Sequence, residues 1–266
     1  MLIDAHTHLF PDFLAGRTLQ KLSEVSGCSY CTDGTVAGTQ RYFAQSGVDF
    51  AVVLHIATKP EQQTNVNHFA KQVQDENPNL ICFGSVHPDA PDALEELHRI
   101  KELGLYGVKL HPDYQKVFIR EERYFPLFET MSRLGLPVAF HTGWDPVSPD
   151  VTRGSSKDVS VVARAFPELT VIAAHMGGLN QLEEAQAHLA GLRNVYFDTA
   201  MSSVYFQSPE LYERLIRRHG PDRVLFGTDC PWNTVDAELR FLDQTGLTEA
   251  EKAQITFENA KRLFGI

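Results

Sequence analysis

Residues 2–11 read Leu-Ile-Asp-Ala-His-Thr-His-Leu-Phe-Pro. The apolar start and the Phe-Pro stop mark a short buried strand whose C-terminal end carries two histidines. Residues i and i+2 of a strand face the same side, so His6 and His8 can point together. An open doubly wound sheet would be expected to carry a Gly-rich phosphate turn at this point. Here His-Thr-His-Leu-Phe-Pro stands instead, and the open sheet is the weaker alternative.

Seven further apolar runs follow the first, Leu2–His8: Phe50–Ala57, Leu80–His87, Gly107–His111, Pro137–Gly143, Leu169–His175, Val195–Ala200 and Val224–Cys230. They are continuous rather than alternating, as strands buried on both faces are. Helix-like amphipathic stretches separate them: Asn65–Asn77, Asp92–Leu103, Arg123–Leu134, Asp158–Phe166, Leu182–Ala190 and Pro209–His219. Strand–helix alternation of this kind predicts an α/β fold, a closed (β/α)8 TIM barrel. The 266 residues match the roughly 250 of one such barrel and are read as a single domain, 1–266. The stretch 9–49 is an insertion after strand 1, with two helical pieces around Cys28 and Cys31, and should overhang the C-terminal mouth. Thr248–Phe264 is expected to be a closing helix, opened by a Thr248/Glu251 capping box.

The net charge of −10 argues against a nucleic-acid partner and against an anionic membrane surface. No apolar run approaches the ~20 residues of a membrane span. Residues 1–6 lack a basic, then apolar, leader pattern, so the expected address is the cytoplasm. Cys28-x-x-Cys31 has no second pair nearby to complete a zinc site and reads as a reduced loop pair. The expected partner is a small-molecule substrate, with homo-oligomerisation left open.

The histidines point to function. Of eleven, seven lie at or near predicted strand ends: His6, His8, His55, His87, His111, His141 and His175. Chance would place about one there. His68, His98, His188 and His219 fall on helical stretches and are expected at the surface. A metal needs donors converging from several strands at one face of a barrel. His6 and His8 with His141, His175 and Asp229 can supply them. His55 and His87 are expected to be hydrogen-bonded structural residues. Asp198 is either a partner to a ligand or a turn residue.

The sequence resembles the amidohydrolase superfamily, in the amidohydrolase-2 branch that holds aminocarboxymuconate-semialdehyde decarboxylase. The segments that carry the likeness are 3–8 (Ile-Asp-Ala-His-Thr-His), 107–112 (Gly-Val-Lys-Leu-His-Pro), 140–143 (Phe-His-Thr-Gly), 174–178 (Ala-His-Met-Gly-Gly), 225–232 (Leu-Phe-Gly-Thr-Asp-Cys-Pro-Trp) and 258–264. The resemblance implies a divalent metal on His6, His8, His141 and Asp229, with His175 as acid/base. Thr228 and Cys230 depart from the usual pattern without removing a ligand. Two-metal relatives use a carboxylated strand-4 lysine, here Lys109, but the Lys-Leu-His-Pro pattern resembles one-metal members. Lys109 then either anchors a substrate carboxylate, as Arg153 could, or pairs with an acid inside the barrel. His111 and Trp144 join Lys109 as candidate substrate-binding residues, and Trp232 is expected to line the pocket.

Imidazole and carboxylate donors suit Zn2+, with Mn2+ second. A metal-bound water, with Asp229 as general base, makes hydrolysis of a small amide, ester or lactone the expected reaction. The alternative is a non-oxidative carboxy-lyase using the same donors. A non-catalytic binding barrel and a nuclease are weaker readings.

Overall fold

The computed structural model describes residues 1–206 and 208–266. Its strands are β1 (Ile3–Thr7), β2 (Phe50–Leu54), β3 (Leu80–Phe83), β4 (Val108–Leu110), β5 (Val138–Phe140), β6 (Val171–Ala173), β7 (Val195–Asp198) and β8 (Val224–Leu225). All neighbouring strands pair in parallel, in the two runs β1-β2-β3 and β4-β5-β6-β7-β8. Backbone bonds join the runs at both seams. Gly84 N donates to Gly107 O at 2.9 Å and Lys109 N to Gly84 O at 2.8 Å. Ala5 N donates to Phe226 O at 2.7 Å and His8 N to Cys230 O at 2.6 Å. The strands therefore close into the expected barrel, one from each predicted run.

Alternate strand residues divide the apolar core in two. Ile3, Ala5, Val52, Leu54, Ile81, Phe83, Ala139, Ile172 and Leu225 fill the barrel interior, plugged by Ala260 and Phe264. Val53, Cys82, Val138, Phe140, Val171 and Phe197 pack outward against the helices. The predicted runs hid this period of two because both faces are buried.

The strands end earlier than the runs. His55, His111 and His141 directly follow the last residue of their strands, His175 lies two residues past β6, and His87 four past β3. At the mouth, side chains take over backbone partners: Ser85 Oγ donates to Lys109 O and accepts from Ala57 N. The terminal helix is also interrupted. The Thr248/Glu251 capping box forms, but residues Gln254–Glu258 make a wider π turn. That turn leaves the Ile255 carbonyl to accept from Phe226 N at 2.8 Å, tying the helix to strand 8.

The insertion folds as α1 (Asp12–Ser26) and α2 (Val36–Ser46). Between them, Cys31 Sγ lies 4.0 Å from Cys230 Sγ, while Cys28 lines the large cavity. His219 is not at the surface. It is 1% exposed, stacks on Phe197 and donates through Nε2 to Val195 O at 3.0 Å. No helix among the described residues is long and apolar enough to cross a membrane.

Candidate metal centre and cavity

The two histidines of β1 owe their direction to a bulge. Asp4 pairs with Ala51 and Thr7 with Val53, so three steps on β1 match two on β2. The extra residue rotates the strand by one position. Ile3 and Ala5 face the barrel interior, and past the bulge His6 and His8 line the cavity at its mouth.

Their partners fix which nitrogen each ring presents. His6 Nδ1 donates to Asp198 Oδ2 and His8 Nδ1 to the Leu54 carbonyl, both at 2.9 Å. In neutral rings that leaves both Nε2 atoms as lone pairs. These lie 3.2 Å apart, and Asp229 Oδ1 is 3.4 Å from His6 Nε2 and 3.1 Å from His8 Nε2. Three acceptors facing one another repel unless a cation lies between them. Ligands at ~2.1 Å around a tetrahedral ion are about 3.4 Å apart, so the spacing fits a divalent metal.

The surroundings keep the donors in ligating form. His6, His111 and His141 are held well below the ordinary imidazole pKa, chiefly by burial. The Lys109 ammonium reinforces this at His6 and His111, and His111 does so at His141. Burial pushes Asp229 up, but the facing His6 and His8, when they carry a proton, outweigh it and draw the carboxyl down to about 2; a cation between the three atoms acts in the same direction. Asp229 has φ 68°, a left-handed conformation that Asp tolerates better than most residues.

His175 shares that conformation, with φ 58°. Its Nδ1 lies 3.2 Å from Ala200 O, and its backbone N donates to Asp198 Oδ1 at 2.9 Å. Donor atoms of His6, His175 and Asp229 all lie within 4.8 Å of one another. His141 sits one ring further: its Nδ1 is 3.1 Å from His175 Nε2. Asp198 thus serves both readings left open for it, since one oxygen orients His6 and the other caps the turn at His175 and Ala200. Replacing it with Asn should weaken metal retention by about 10–100-fold, the usual cost of losing a ligand's supporting partner. Competition with a chelator checks this, and unchanged retention would remove Asp198 from the centre.

Lys109 is 1% exposed and its Nζ has no hydrogen-bond partner among the described residues. Burial lowers its pKa to about 8, opposed by Asp198, Asp229 and Asp145. The reading of Lys109 as half of a hydrogen-bonded pair with an acid is therefore not what forms. His111 lies between Tyr114 and His141 in a stack of rings 3.6 and 4.2 Å apart. Asp145 Oδ2 is 3.5 Å from His111 Nε2 and 3.7 Å from His141 Nε2. Sequence reasoning passed over Asp145 and Tyr114. The signal for Asp145 was a carboxylate four residues after a candidate ligand.

These groups open into a cavity of about 1190 Å3. Trp232 and Arg153 line it. Trp144 does not; it packs edge-on against Tyr205, which does. His87 is hydrogen-bonded, accepting from Asp89 N at 3.2 Å. His55 lines the cavity and its Nε2 has no hydrogen-bond partner among the described residues, unlike the hydrogen-bonded residue expected.

A closed parallel barrel with imidazole and carboxylate donors at its C-terminal mouth defines the class of metal-binding (β/α)8 proteins. Within that class, the chain belongs to the amidohydrolase family, whose model matches residues 3–266. It is 26% identical to the 6-methylsalicylic acid decarboxylase of Penicillium expansum, over 98% of this chain and 95% of that protein. It is 25% identical to the gamma-resorcylate decarboxylase of a Polaromonas species, over 77% of this chain and 76% of that protein. Among solved structures, a Polaromonas dihydroxybenzoic acid decarboxylase with bound manganese and the inhibitor 2-nitroresorcinol has the same fold. Its TM-score is 0.74 at 17% identity, covering 99% of this chain and 96% of that one.

The comparisons overturn the expected hydrolase, because both curated relatives are decarboxylases. The donor set could not have revealed this, since the same ligands serve metal-activated water and a metal-bound carboxylate. They also bear on the ion: the similar structure supports a divalent metal, and it holds manganese rather than zinc.

Proposed function

We propose that the chain is a metal-dependent, non-oxidative decarboxylase of a hydroxy-substituted aromatic acid, acting in the cytoplasm. The observation that carries this reading is the match to 6-methylsalicylic acid decarboxylase across 98% of the chain. In the reaction, a proton adds to the ring carbon bearing the carboxylate, the bond to that carboxylate breaks, and CO2 leaves.

His6, His8 and Asp229, with His141 as fourth donor, would hold the metal. The ion, Mn2+ by analogy with the Polaromonas structure, would supply a Lewis acid for the substrate's oxygens. Lys109, a buried cation with no hydrogen-bond partner among the described residues, holds the carboxylate or neighbouring phenolate in place. His111 supports the ring, fixed by Asp145 and the Tyr114 stack. His175 carries the proton to the ring carbon: Nδ1 faces the Ala200 carbonyl at 3.2 Å and Nε2 faces His141 Nδ1 at 3.1 Å, and Nε2, on the side of the donor cluster, is the atom that exchanges it. Most of these groups are buried. Burial strips water from the carboxylate and favours loss of neutral CO2.

The test is CO2 release from 2,6-dihydroxybenzoate, 6-methylsalicylate and related hydroxy acids by the Mn2+-loaded protein. One CO2 and one phenol should appear per acid consumed, and a chelator should stop both. Hydrolysis of esters or lactones without CO2 from any hydroxy acid would refute the reading.

A further inference from the structure

The cavity is larger than its metal end requires. Its volume of about 1190 Å3 exceeds the roughly 300–1,000 Å3 of pockets that enclose drug-sized ligands, whereas a single-ring acid is much smaller. The extra space is walled by α1. Leu14, Arg17, Thr18, Lys21 and Leu22 all line it, and their spacing i, i+3, i+4, i+7, i+8 is one continuous helix face. Ala15 and Leu19 anchor that helix, each 1% exposed.

Charge is distributed unevenly along the cavity. The lining holds five Lys or Arg residues and three acids, Asp113, Asp145 and Asp229, in a chain with 24 Lys and Arg against 34 Asp and Glu. Asp229 and Asp145 belong to the metal end, and Asp113 faces Arg153 at 3.6 Å. Arg17, Lys21 and Lys116 are in no ion pair among the described residues. The α1 face is thus apolar at both ends and cationic between, its Arg17 and Lys21 exposed to solvent, and no acid of α1 lines the cavity.

We propose that the substrate is a dianion, an aromatic acid whose ring carries an apolar arm ending in a second carboxylate that Arg17 and Lys21 hold. The inference rests on the decarboxylase reading only for the first carboxylate. The arm crosses the cavity to the α1 face, where Leu14 and Leu22 flank the cations, and the second anion replaces water on Arg17 and Lys21.

Calorimetry on the Mn2+-loaded protein tests this with three probes: salicylate, 4-pentylsalicylate and 4-(4-carboxybutyl)salicylate. The dianion should bind at least tenfold more tightly than either of the others at low salt, a difference of about 1.4 kcal/mol. Added salt should erode that advantage, since the contacts are exposed. The Arg17→Glu/Lys21→Glu double variant should abolish it while binding salicylate within about twofold of the parent, which also reports an intact fold. Equal affinity for the pentyl and carboxybutyl probes would overturn the proposal, as would an advantage that survives the double variant. Binding is read without turnover. Absence of CO2 release would therefore count against the decarboxylase reading and leave this one standing.

Discussion

His175→Asn should keep most of its divalent metal and release CO2 about 10²–10⁴-fold more slowly, the usual contribution of a positioned acid or base. Asn suits the site sterically, because it tolerates the left-handed φ of 58° better than most residues. The imidazole itself is poised to carry a proton. Ala200 O faces Nδ1, and Nε2 faces His141. His141→Asn should instead lose metal and activity together. Metal analysis of both variants beside the rate assay separates the roles. His175 has a donor atom within 4.8 Å of those of His6 and Asp229, so equal metal loss in the two variants would make it a ligand and point to a second ion. Full activity in His175→Asn would remove it from the chemistry.

Asp229→Asn should lose both metal and CO2 release. The substitution is nearly isosteric and the backbone, at φ 68°, accepts Asn. What it removes is the negative charge facing the Nε2 atoms of His6 and His8. The loss of affinity should exceed the roughly 10–100-fold expected for a supporting partner such as Asp198. A variant that keeps a full equivalent of metal would remove Asp229 from the ligand set.

Much of this was readable before any coordinates. Eight apolar runs, their spacing and the crowding of histidines at their ends were enough for a closed barrel with a metal at its mouth, because strand burial and ligand chemistry both act through residue type. Periodicity would also have found His219, since Tyr212, Leu215, Ile216 and His219 share one buried helix face. The hydrolase expectation failed for a different reason: the ligands are common to both reactions, so the donor set does not choose between them.

Other features depend on contacts between distant segments. Parity placed His6 and His8 on one side of β1 but could not say which; the one-residue bulge against β2 decided it. Asp145 gained meaning only when strand closure brought it beside His111, and Cys31 met Cys230 from 199 positions away. The sequence by itself determined the barrel, its order of strands and the kinds of donor at its mouth, since those follow from local pattern. Tertiary structure alone decided where each donor points and which groups stand unpaired in the cavity, since direction and pairing are set by neighbours remote in the chain.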